Sequence, residues 1–112
     1  MKQEIARFEA DFFKALGHPL RIRILAVLAQ GERTVNEIQA LTESEGSAVS
    51  QQLAVLRSKN IVYGTKNGTR VIYSLRDPMT KDLLMTAKAI FQNHLIDSIA
   101  MLDHVSKEDT YE

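Results

Sequence analysis

Ile61-Val62-Tyr63-Gly64-Thr65-Lys66-Asn67-Gly68-Thr69-Arg70-Val71-Ile72-Tyr73-Ser74-Leu75 is the stretch on which the fold turns. Two β-branched and aromatic runs, 61–63 and 71–75, flank a polar pentapeptide with Asn67-Gly68 at its centre. Such runs favour a pleated, half-buried surface. Asn and Gly both tolerate positive φ, so the dipeptide predicts a tight turn and the stretch a two-stranded hairpin. The rest of the chain reads as helix.

Working back from the hairpin, Val49, Leu53 and Leu56, with Val55 beside them, recur at helical spacing, and the opposite face shows Ser47, Ser50, Gln51 and Arg57. This helix is predicted to begin near 44–47, after the polar stretch Thr42-Glu43-Ser44-Glu45-Gly46. Before it, Thr34 and Glu37 fit a capping box that opens a helix of about two turns carrying Val35, Ile38 and Leu41. His18-Pro19 opens an earlier helix that ends at Gly31, with Ile22, Leu25, Ala26, Leu28 and Ala29 expected on its buried face. The first helix spans Gln3 to Leu16, with an apolar face of Ile5, Phe8, Phe12 and Leu16.

On the other side of the hairpin, Asp77-Pro78 starts a long final helix whose stripe runs Leu83, Leu84, Ala87, Ile90, Phe91, Leu95, Ile99 and Leu102. The expected organisation is one domain over 1–105 and a polar, fraying C-terminal tail over 106–112. The fold class is mainly α with a two-stranded β-wing. Its order, four helices, a hairpin and a fifth helix, is that of a winged helix-turn-helix, in which the second helix of the pair enters the DNA major groove.

Charge supports that reading. The 112 residues carry 14 basic and 14 acidic side chains, yet 46–76 contains no Asp or Glu and five cations, Arg57, Lys59, Lys66, Arg70 and Arg76. Release of counterions from phosphates is the main source of sequence-independent DNA affinity. Lys66 and Arg70 flank the turn and suit phosphates or a minor groove. Ser47, Ser50, Gln51 and Gln52 carry the short or amide side chains that exchange hydrogen bonds with base edges, and the two glutamines can pair adenine.

The terminal helices carry more apolar surface than a three-helix core with a hairpin can cover. Ile5, Phe8, Phe12, Phe91, Leu95, Ile99 and Leu102 are therefore expected to pair two chains across a two-fold axis, which sets two reading helices about 34 Å apart on a palindromic operator.

Three blocks in this order resemble the ArsR/SmtB type of winged helix-turn-helix repressors: 16–25 (LGHPLRIRIL), 49–57 (VSQQLAVLR) and 67–75 (NGTRVIYSL). The likeness extends from Ile5 to Val105. It implies a homodimeric repressor that leaves its operator when an inducer binds. It also implies DNA contacts at Ser47, Ala48, Ser50, Gln51 and Gln52 in the recognition block, to which the face and charge readings add Arg57, and at Lys66, Asn67 and Arg70 in the wing. Gln52 stands where the family usually has histidine.

The family's metal sites are not matched. Thr34 and Asn36 occupy the third-helix positions where cysteines would sit, and with no cysteine in the chain a thiolate site is excluded, along with arsenite, cadmium or lead sensing by that route. On the last helix His94 and Asp97 share a face and Asp77 or Asp82 offers an oxygen, but no histidine stands near the helix start. His94 reads as a seam residue rather than a ligand, His18 as a helix cap, and His104 as structural. No cofactor is expected. The signal is left among three readings: a small organic inducer held by Phe8, Phe12, Phe91, Met85 and Met101, a weak hard-metal site at His94, or no inducer.

Scattered glycines and three histidines without a shared motif supply no catalytic set, so an enzyme is not expected. The competing reading is a protein-interaction module that uses the winged helix as a scaffold. The amino terminus lacks a signal-peptide core and no run is long enough to span a bilayer, which predicts a cytoplasmic protein without a membrane partner.

Overall fold

The computed structural model describes the backbone of residues 2–110 and the side chains of residues 2–103. It divides into two compact units, residues 1–81 and 82–112. The order is α1 (Lys2–Leu16), α2 (Pro19–Ala29), β1 (Arg33–Thr34), α3 (Val35–Thr42), α4 (Gly46–Ser58), β2 (Val62–Asn67), β3 (Arg70–Leu75) and α5 (Met79–Thr110).

Every predicted helix forms. Helix α2 starts at Pro19, whose missing N–H costs nothing in a first turn, and His18 Nδ1 caps it by accepting from the Leu20 amide at 3.2 Å. The capping box on α3 is complete: Thr34 Oγ1 accepts from Glu37 N, and Glu37 Oε1 accepts from Thr34 N.

The core of the first unit is Ala15, Ile24, Leu25, Leu28, Ile38, Val49, Leu53, Leu56, Ile61 and Val62. All three apolar residues expected inward on α4 are there. On α2 the expected face holds at Leu25 and Leu28, which are buried, and fails beside them: Ile24 is buried, whereas Ile22 and Ala26 are exposed. That helix is apolar nearly all round, so its periodicity carries little phase. On α3, Leu41 is exposed and Thr42 takes the inner position, its hydroxyl donating to Ile38 O at 2.7 Å.

The sheet has three strands in the order β1-β3-β2, not two. The extra strand is two residues long and pairs Arg33 with Tyr73 and Thr34 with Ile72. An N-cap residue has extended backbone, and Thr34 at φ −78°, ψ 164° thereby offers β3 a ladder partner. In the hairpin, Asn67 pairs with Arg70, so the two loop residues are Gly68 and Thr69 rather than Asn67 and Gly68. Gly68 alone takes positive φ there, +67°. A glycine opening a two-residue loop relieves Asn67 of that conformation and leaves it in the ladder.

Helix α5 continues through Thr110, beyond the expected end of the domain, because neither Gly nor Pro interrupts it after Pro78. In the second unit Leu83, Leu84 and Ala87 are half-buried, while Ile90, Phe91, Leu95, Ile99 and Leu102 are exposed. His104 and the predicted tail side chains lie outside the described side chains.

Candidate nucleic-acid interface

Helices α3 and α4 are joined by three residues, 43–45, and the turn is made by Glu43 in the left-handed region at φ 53°. Its amide donates back to Ala40 O, and Ser44 N donates to Gln39 O. These bonds close α3 and start α4 at Gly46, with no side-chain cap on the new helix. This is a helix-turn-helix, with α4 as its second member.

Thirteen residues make α4 about 20 Å long. Burial of Val49, Leu53 and Leu56 turns Ser47, Ser50 and Gln51 outward, and all three are exposed, as is Arg57 in the last turn. Ala48 and Gln52 lie on the flank and are half-buried. Gln52 is engaged within the protein: its Oε1 accepts from Arg21 Nε of α2 at 2.9 Å. The sequence alone did not reveal Arg21, which is separated from its partner by 31 positions.

The wing begins in the core at Ile61 and Val62 and then runs outward, every residue from Tyr63 to Arg70 being exposed. Six-residue strands carry it about 20 Å. Lys66, Asn67 and Arg70 stand at its tip, Asn67 and Arg70 as cross-strand partners. Arg76, at the base, lies over the Tyr63 ring with 5.4 Å between guanidinium carbon and centroid. Of the five cations in the acid-free stretch, Lys59 is neutralised from outside it by Asp11 of α1, 2.8 Å away. Among the described residues, the cations at the tip, Lys66 and Arg70, have no such ion pair.

A cleft of about 430 Å³ separates the start of α3 from the wing, lined by Thr34, Asn36, Glu37, Arg70 and Tyr73 among others. Hydrogen bonds from Thr34, backbone first and hydroxyl second, hold the Glu37 carboxyl below the ordinary carboxylate pKa, with Arg33 and Arg70 adding smaller attractions. Thr34 and Asn36 here present no soft metal donor. His94 and Asp97 are both exposed on α5, and among the described residues no three His, Asp or Glu side chains gather as a metal set. No helix among the described residues is long and apolar enough to cross a membrane.

A helix-turn-helix with an exposed polar reading face and a cationic two-stranded wing defines a winged-helix DNA-binding protein. The model for bacterial regulatory proteins of the arsR family matches residues 18–63, which span α2 to the start of the wing. The HTH-type transcriptional regulator Rv0081 of Mycobacterium tuberculosis is 37% identical over 102 residues, 90% of each chain. Its crystal structure superposes with a TM-score of 0.77 at 38% identity, covering 85% of this chain and 96% of that one. The homodimeric winged helix-turn-helix DNA-binding domain Mb0332 of Mycobacterium bovis, a possible ArsR-family regulator, gives 0.76 at 31%, covering 84% and 87%. The biofilm growth-associated repressor of Agrobacterium fabrum is 35% identical over 82 residues, 73% of this chain and 70% of the relative. The chain belongs to the ArsR family of regulatory proteins, and is a DNA-binding transcriptional regulator rather than an enzyme.

Proposed function

We propose that the protein is a cytoplasmic, dimeric repressor that reads a palindromic operator with α4, grips the flanking backbone with its wing, and answers to a signal that is not sensed by thiols. The observation that carries this reading is the exposed face of Ser47, Ser50 and Gln51 together with a wing whose tip bears only cationic charge. Short hydroxyl and amide groups suit base edges, and Lys66 and Arg70 suit phosphates. Asn67 contributes a neutral donor beside them.

Dimerisation is supported by the faces of α1 and α5 in a single chain. Phe8 is 80% exposed and Phe91 66%, and Ile5, Leu95, Ile99 and Leu102 are each more than half exposed, apolar surface that a second chain would cover. Phe12 is half-buried and packs edge-on against Phe13, so it is the least available of the expected seam. The homodimeric neighbour from Mycobacterium bovis and the repressor from Agrobacterium fabrum support the same assembly and direction of control. Because the chain has no cysteine, any inducer acts through chemistry other than a thiolate's, an organic molecule being favoured over a metal at His94.

Selection of DNA from a random pool by the purified protein, with added zinc and with chelator, tests this. A palindromic motif unaffected by chelator is expected. A motif that changes with zinc would restore a metal role to His94, and failure to select any motif would leave the winged helix as a protein-interaction scaffold.

A further inference from the structure

Arg21, in the first turn of α2, holds two other helices at once. Its Nη1 donates to Ala15 O at 3.1 Å and its Nε donates to Gln52 Oε1 at 2.9 Å. Ala15 is the one buried residue of α1 and sits a residue from its end, where helix carbonyls lack intrahelical partners. A cation at that end also complements the helix dipole. One guanidinium therefore ties the last turn of α1 to the middle of α4.

The chemistry fixes the orientation of Gln52. Arginine has donors only, so the amide atom facing it is the oxygen. Gln52 Nε2 makes no hydrogen bond in the protein, and no buried side-chain polar atom among the described residues lacks a partner, so Nε2 is open to solvent. At 100° per residue, however, Gln52 is turned a full step from Gln51 and two from Ser50, onto the flank shared with Ala48 and Val55. Its place suits a latch better than a reader.

We propose that Arg21 is a positioning residue for DNA recognition: by clamping Gln52 against the α1 terminus it sets the rotation of α4 about its own axis, and so the direction in which Ser47, Ser50 and Gln51 face the groove. A planar guanidinium offers its N–H groups at fixed angles, so turning α4 strains or breaks one of the two bonds, whereas a lysine ammonium on a flexible stem imposes no such plane. The inference rests on α4 being the DNA-reading helix, and it withdraws Gln52 from the set of base-reading residues.

Arg21→Lys, Gln52→Ala, the double variant and Gln52→Glu are compared by the ratio of operator to random-DNA affinity, with the operator taken from wild-type selection. Arg21→Lys and Gln52→Ala should each lower the ratio about tenfold, the scale of one lost hydrogen bond to a charged group. The double variant should fall no further, because both changes remove the same link. Gln52→Glu should keep the ratio, since its carboxylate accepts from Arg21 in the same place while offering no N–H to a base. Additive losses in the double variant would dismiss the clamp. A Gln52→Glu protein as impaired as Gln52→Ala, with altered preference at one base pair per half-site, would make Gln52 a reader and overturn the proposal. Wild-type protein that prefers no sequence would remove the DNA-reading role itself and the clamp with it, a result distinguishable because it precedes any substitution.

Discussion

A methyl group on residue 64 would stand 2.8 Å from Val71 Cγ1 and 3.2 Å from Tyr73 Cε1, closer than carbon atoms approach without displacement. Gly64 sits opposite Tyr73 in the ladder, so the neighbours it would push are those that root the wing. Gly64→Ala should lower stability by about 1–3 kcal/mol, read as a drop in melting temperature, with operator affinity falling too if the wing tilts. Glu43 presents the opposite case. It takes a left-handed backbone at φ 53° without the glycine that usually fills such a helix-ending position. Glu43→Gly should raise stability by up to about 1 kcal/mol in thermal unfolding, and removing a carboxylate beside α4 should leave operator binding no weaker.

Within single elements, the short α3 depends on its cap. Glu37 has a pKa below its unfolded value, so its ionised form stabilises the fold fully above the ordinary carboxylate range. That contribution is lost as pH falls through the lowered folded pKa. Acid unfolding of Glu37→Gln against wild type should show a stability gap at neutral pH that closes as the solution is acidified below that value. For the wing, Arg70→Ala should weaken binding to operator and random DNA alike and reduce the salt slope by about 1, whereas Gln51→Ala should relax preference at one base pair per half-site, both read from salt titrations and repeated selection. The elements themselves were largely legible in the sequence. Val49, Leu53 and Leu56 betray α4 because three- and four-residue spacing has one meaning, and Thr34 with Glu37 marks the start of α3. What escaped was set by partners distant along the chain. Arg33–Thr34 is too short to show strand character without Tyr73 and Ile72 beside it, and nothing local to Arg21 or Lys59 announces Gln52 or Asp11. The loop slipped by one residue because Asn67-Gly68 and Gly68-Thr69 are both acceptable hairpin dipeptides, and pairing of Asn67 with Arg70 chose between them.

At the scale of the molecule, the proposed dimer would cover the exposed apolar faces of α1 and α5. Phe8→Glu combined with Leu95→Glu should give a monomer by light scattering, with operator affinity lower by about 100-fold or more, since two half-sites are no longer held together. Charge is also distributed unevenly along the chain: residues 1–81 hold twelve basic and eight acidic side chains, residues 82–112 two and six. The total cancels, so the protein has no monopole to draw it toward polyanions from afar. The cations of the wing act only within about 8 Å at physiological salt. A uniformly basic regulator spends much of its time adsorbed on whatever DNA lies nearest, and its free concentration collapses. A neutral chain with a cationic tip should escape much of that sequestration. On the proposed function, fewer copies would then be lost to random DNA, and an operator would be held at a lower protein concentration than a uniformly basic regulator of equal specific affinity needs.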